Sequence, residues 1–78
     1  MKVAVIGAHG RMGAQAVEAV KDADGLDLVA ALGSSDSLET LTDLDVDVAV
    51  ELTVPKATED NVRFLVEHDI DTVVGTTG

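Results

Sequence analysis

Seven residues near the amino terminus, Gly7-Ala8-His9-Gly10-Arg11-Met12-Gly13, have the spacing from which a phosphate cradle can be built. Gly7 permits a tight turn, Gly10 has no Cβ to obstruct an approaching pyrophosphate, and Gly13 lets a helix pack closely on a sheet. Backbone N–H groups and the positive end of a helix dipole would then face the anion. Arg11 is placed either to add a charge-assisted contact or to stand as a surface residue at a helix start. His9 has the same two readings, phosphate neighbour or solvated loop residue. The spacing is GxxGxxG where a dinucleotide site more often has GxGxxG, and a glycine turn with close packing would leave the same trace. The elements on either side therefore decide the matter.

Other chemistry is sparse. In dinucleotide-binding units a carboxylate at the end of the second strand takes the adenosine ribose hydroxyls. Here that position is Gly33, followed by Ser34, Ser35 and Asp36, so hydroxyls or a displaced carboxylate would have to serve. The chain has no cysteine and two histidines, which leaves no thiolate metal site, no disulfide and no cysteine nucleophile. No metal site is expected.

The elements that must position these residues can be read from periodicity. Residues 2–6 form a short apolar run ending at Gly7, as in a strand buried on both faces of a parallel sheet. Residues 11–23 repeat apolar positions at helical spacing, Met12, Ala16, Val20 and Ala23, with Val17 alongside. Asp24-Gly25 ends that helix, and residues 26–32 read as a second strand. Asp36 followed by Glu39 suggests a capping box opening a short helix through Leu38, Leu41 and Leu44. Residues 46–52 alternate as a third strand closed by Pro55. Residues 58–68 carry Val62, Leu65 and Val66 on one helical face, and residues 71–75 add a fourth strand. Strands alternating with helices predict an α/β, Rossmann-like parallel sheet with helices on both faces. The connection over residues 33–45 is too short for another strand, so the predicted order is 2-1-3-4. The cofactor crevice should then open between the first and third strands.

Five basic residues against fifteen acidic ones give a net charge of −10, which opposes nucleic acid and anionic membranes as partners. The acids mostly flank apolar runs and read as a solvated surface, or as adaptation to high salt. There is no run of about 18 apolar residues and no basic start before an apolar stretch, which predicts a cytoplasmic protein. The chain closes on Gly75-Thr76-Thr77-Gly78 directly behind a strand. A buried strand needs cover on its far edge, so residues 1–78 are expected to be a nucleotide-binding domain belonging to something larger.

The glycine loop, Glu51-Leu52-Thr53-Val54-Pro55 and Val73-Val74-Gly75-Thr76-Thr77-Gly78 together resemble dihydrodipicolinate reductase of the bacterial lysine and diaminopimelate pathway, in order and spacing over all 78 residues. The Thr-x-Pro loop followed by Gly-Thr-Thr-Gly is far more specific than the glycine loop. The resemblance implies reduction of a cyclic dihydrodipicolinate-type substrate to tetrahydrodipicolinate with hydride from NADPH or NADH. It implies that Gly7, Gly10, Arg11 and Met12, with Ala8 and His9 between them, line the pyrophosphate site. It puts Thr53 near the nicotinamide ribose and Gly75, Thr76 and Thr77 at the carboxamide. Glu51 stands where the family often has aspartate and Leu52 where it often has phenylalanine. Glu51 is read as a carboxylate accepting loop N–H bonds in preference to a catalytic group. The histidine pair and lysine that bind and protonate the substrate belong to a second domain, also the site of tetramer assembly. No catalytic residue is expected in this chain, and alone it should be inactive. Two other functions share the opening: another nicotinamide dehydrogenase, such as a sugar or semialdehyde dehydrogenase, and a noncatalytic nucleotide-sensing module.

Overall fold

The computed structural model describes residues 1–33 and 35–75. Its elements run β1 (Lys2–Ile6), α1 (Arg11–Asp22), β2 (Asp27–Leu32), a 3₁₀ helix (Leu38–Asp43), β3 (Val48–Glu51), α2 (Pro55–Glu67) and β4 (Asp71–Val74). The four strands form one sheet in the order β2-β1-β3-β4, and every pairing is parallel. The order read from the sequence is therefore the order found. β1 is central and its last four residues are buried, which is why its sequence is an unbroken apolar run instead of an alternation.

Strand periodicity divides the sheet's two faces. Ala4 and Ile6 of β1, Leu32 of β2 and Ala49 of β3 share a core with Leu41 of the 3₁₀ helix, Leu65 of α2 and Ile70. Leu41 and Leu65 are at most 1% exposed, and each contributes about 1.5–3 kcal/mol by its burial. On the opposite face α1 packs over β1 and β2 and buries Gly13 and Val20. Among the described residues no helix is long and apolar enough to cross a membrane.

Several boundaries differ from the sequence reading for identifiable reasons. Pro55 does not merely close β3; it stands in the first turn of α2, three residues before the start expected at Thr58. Proline suits that position because its missing N–H would be unpaired there in any case and its φ is already helical. The helix expected to open at Asp36 is a 3₁₀ segment capped by Ser37, whose hydroxyl oxygen accepts the Glu39 N–H at 3.2 Å. Asp36 is turned the other way and accepts the Gly33 N–H at 2.8 Å. Met12 and Val66, read as core-facing, are 43% and 64% exposed. α1 instead turns Gly13 inward, and α2 buries Leu65 with Phe64 partly buried beside it.

Candidate cofactor-binding site

The loops that follow β1, β2 and β3 meet at one end of the sheet around a cleft of about 440 Å³, within the range of small-molecule sites. Gly7, His9 and Gly10 line it from the first loop, Gly33 and Asp36 from the end of β2, and Thr53 from the loop after β3. This is the switch point, where the connections from β1 and β3 leave in opposite directions, and it is where open α/β sheets bind ligands.

The glycine loop is pinned from below. The N–H groups of Gly7 and Ala8 both donate to the Leu32 carbonyl, at 2.8 and 2.9 Å, and Gly10 N–H donates to the Gly7 carbonyl at 3.2 Å. These amides were expected to face the anion, but they hold the loop's shape. The first turn of α1 lies ahead of that helix's first main-chain bond, Ala14 N–H to Gly10 C=O at 2.9 Å, and such helix starts are where anions bind. Gly10 caps that helix without a side-chain hydrogen bond, and the first turn holds no acid.

The glycines answer to different neighbours. Gly7 has φ +85°, and a Cβ on it would lie 2.8 Å from the Leu52 carbonyl oxygen. It therefore fixes both the turn and the close approach of the β3 loop. A Cβ on Gly13 would come within 2.7 Å of the Gly7 carbonyl carbon, so Gly13 serves the packing of helix on loop. At Gly10 an added Cβ would meet, among the described residues, only the Gly7 oxygen, at 3.6 Å, and its φ of −77° suits any residue. No described residue needs glycine there.

The end of β2 is not vacant. A Cβ on Gly33 would run into the imidazole of His9, whose Nε2 lies 2.7 Å from that position. His9 thus covers the place a strand-end side chain would take, and Asp36 returns a carboxylate to the same corner through its bond to Gly33 N–H.

After β3, Glu51 is fully buried. Its Oε1 accepts the Thr53 N–H at 2.6 Å and also the Thr53 hydroxyl, while Oε2 accepts from Asn61 Nδ2 at 2.7 Å. This is the loop-bonding role read for Glu51. Asn61 escaped the sequence reading. Its signal was a polar residue at helical spacing four before Leu65, on the side of α2 that meets the sheet.

Of the residues singled out from sequence, Gly7, His9, Gly10, Gly33 and Thr53 converge on the cleft. Ala8 is buried beneath it, and Arg11 and Met12 stand exposed at the start of α1, outside the lining. Gly75 extends the β3–β4 ladder, donating to the Glu51 carbonyl at 3.0 Å. Its Cα faces the Leu52 side chain, which a Cβ would meet at 2.6 Å. Ser34, Thr76 and Thr77 lie outside the described residues. His68, at the end of α2, stacks on Phe64 with ring centroids 4.1 Å apart and takes no part in the cleft.

Residues 1–78 match the family described as dihydrodipicolinate reductase, N-terminus. A 4-hydroxy-tetrahydrodipicolinate reductase of Streptomyces griseus is 55% identical over all 78 residues, and one of Nocardia farcinica is 46% identical. The chain spans 31% and 32% of those relatives' lengths. A solved dipicolinate-bound dihydrodipicolinate reductase from Paenisporosarcina sp. TG-14 superimposes with a TM-score of 0.89 at 27% identity, covering 100% of this chain and 38% of that one.

Proposed function

This chain belongs to the dihydrodipicolinate reductase N-terminal family, and from that membership we propose that its cleft binds NADPH or NADH as the hydride donor for reduction of a dihydrodipicolinate-type substrate. The carrying observation is Gly10: it lines the cleft, yet among the described residues none requires it to be glycine. The pyrophosphate would lie over Gly10 against the first turn of α1, with the Arg11 guanidinium at the rim. The adenosine ribose would lie at the end of β2, between His9 and Asp36, and the nicotinamide ribose beside Thr53. Gly75, Thr76 and Thr77 are assigned to the carboxamide on the resemblance alone. The residues that bind and protonate the substrate are assigned outside these 78, so no residue here is given a catalytic role. On the same grounds the enzyme is read as a cytoplasmic homotetramer acting in lysine and diaminopimelate synthesis. The test is titration of the complete gene product with NADPH and NADH, followed by nicotinamide fluorescence. Saturable binding of at least one is expected, and binding of neither would refute the reading.

Cofactor choice follows from the corner at the end of β2. Gly33 supplies no carboxylate of its own, but Asp36 has one oxygen on the Gly33 N–H and a second left for a ribose hydroxyl. That carboxylate repels a 2′-phosphate, while the His9 imidazole beside it offers a donor. The two oppose each other, so both cofactors should be used, with kcat/KM values within about a hundredfold. Asp36→Ala should raise the NADPH to NADH ratio of kcat/KM by about tenfold, or roughly 1.4 kcal/mol. An unchanged ratio would show that Asp36 does not face the 2′ position.

A further inference from the structure

Glu51 is the one buried charged side chain among the described residues. It sits in register with Ile6 on the face whose other β3 member is Ala49. A buried carboxylate is costly, and an apolar residue would serve packing at least as well. Its three partners explain what it does instead. Two are the N–H and hydroxyl of Thr53, in the loop that lines the cleft, and the third is the Asn61 amide on α2. Glu51 therefore ties the loop after β3 to the helix that follows it.

The polarity of this arrangement has a consequence for the ligand. The Thr53 hydroxyl proton is committed to Glu51 Oε1, and a hydroxyl has only one proton. Asn61 Nδ2 also donates to Thr53 Oγ1, at 3.4 Å, so toward the cleft the hydroxyl offers its remaining lone pair alone. We infer that Glu51 and Asn61 are positioning residues that make Thr53 a fixed hydrogen-bond acceptor, selecting a donor on the nicotinamide riboside half of the cofactor, such as a ribose hydroxyl. This rests on the cofactor reading above.

A reciprocal exchange tests the pair. Glu51→Gln keeps an oxygen for Thr53 and turns an NH2 toward Asn61, which can rotate its own amide oxygen to accept it, so this single variant should bind NADPH within about threefold of wild type. Asn61→Asp sets a second carboxylate against Glu51 in place of the amide now 2.7 Å away. In Glu51→Gln/Asn61→Asp the new amide donates to the new carboxylate while its carbonyl still accepts from Thr53, so the ties to the loop and to α2 are both restored. Dissociation constants for NADPH and for ADP, which lacks the nicotinamide riboside, are measured on the complete gene product together with melting temperature. Asn61→Asp should weaken NADPH about tenfold and leave ADP within about twofold, and the double variant should recover NADPH to within about threefold of wild type. Thr53→Ser should bind as wild type and Thr53→Val should lose about tenfold, which keeps the inference testable if a Glu51 variant does not fold. NADPH affinity unchanged in folded Asn61→Asp, or NADPH and ADP weakened equally, would overturn it by showing a purely structural role. Wild type that bound neither NADPH nor NADH would overturn the cofactor reading itself, and this inference with it.

Discussion

Gly13→Ala is expected to lower the melting temperature by more than 10 °C and to abolish cofactor binding in whatever remains folded. Helix propensity alone gives the opposite sign, since alanine inside a helix is favoured over glycine by about 1 kcal/mol. Sterics decide. The new Cβ would lie 2.7 Å from the Gly7 carbonyl carbon and 2.8 Å from Ala8 Cα. Those are backbone atoms of a loop held by two hydrogen bonds to the Leu32 carbonyl, so no side chain can swing away to relieve the contact. Either the loop leaves β2 or α1 lifts from the sheet, and Val20 loses its burial with it. Overpacking of this kind costs about 3 kcal/mol or more. A domain of this size holds only ~4–12 kcal/mol, and each kcal/mol moves its melting temperature by about 4–8 °C. A melting temperature within about 3 °C of wild type would mean that the loop yields and that Gly13 is not what seats the helix.

Gly10→Ala should do the reverse, leaving the fold intact and destroying the site. Its backbone lies in extended conformation, and among the described residues the added methyl would meet only the Gly7 carbonyl oxygen, at 3.6 Å. Loss of unfolded-state freedom could even stabilise the chain by about 0.4–1 kcal/mol. The methyl would stand in the cleft wall beside the first turn of α1, where a pyrophosphate must approach main-chain donors closely. Affinity for NADPH and NADH is expected to fall by about a hundredfold or more, roughly 2.7 kcal/mol. Equal binding by wild type and Gly10→Ala would place the pyrophosphate elsewhere.

These two glycines show what the sequence made legible and what it did not. The sheet order followed from the apolar run of β1 and a connection too short to add a strand, both visible in residues 2–6 and 33–45. The glycine loop was singled out because a strand before and a helix after gave it context, Gly33 by its place at the end of the second strand, and Thr53 by the family resemblance alone. Contacts between elements distant in sequence were harder to read. That His9 covers Gly33, or that Asn61 reaches back ten residues to Glu51, depends on how loops pack once the sheet exists. Pro55 was read as a strand stop when it also opens a helix, because proline serves both ends of such a junction. Asp36 looked like a helix cap from its spacing to Glu39. Ser37 stood one residue nearer the helix and took that role, which left Asp36 to turn into the cleft.

The central claim is that a nicotinamide dinucleotide lies across the ends of β1, β2 and β3, and an amide NMR titration of the 78-residue chain with NADPH and NADH tests it most directly. Saturable shifts are predicted at Gly7, Gly10, Gly33 and Thr53 and in the first turn of α1, with Val66, Ile70 and Thr72 at the far end of α2 and β4 unmoved. No saturable shift with either cofactor, or shifts confined to that far end, would contradict the account.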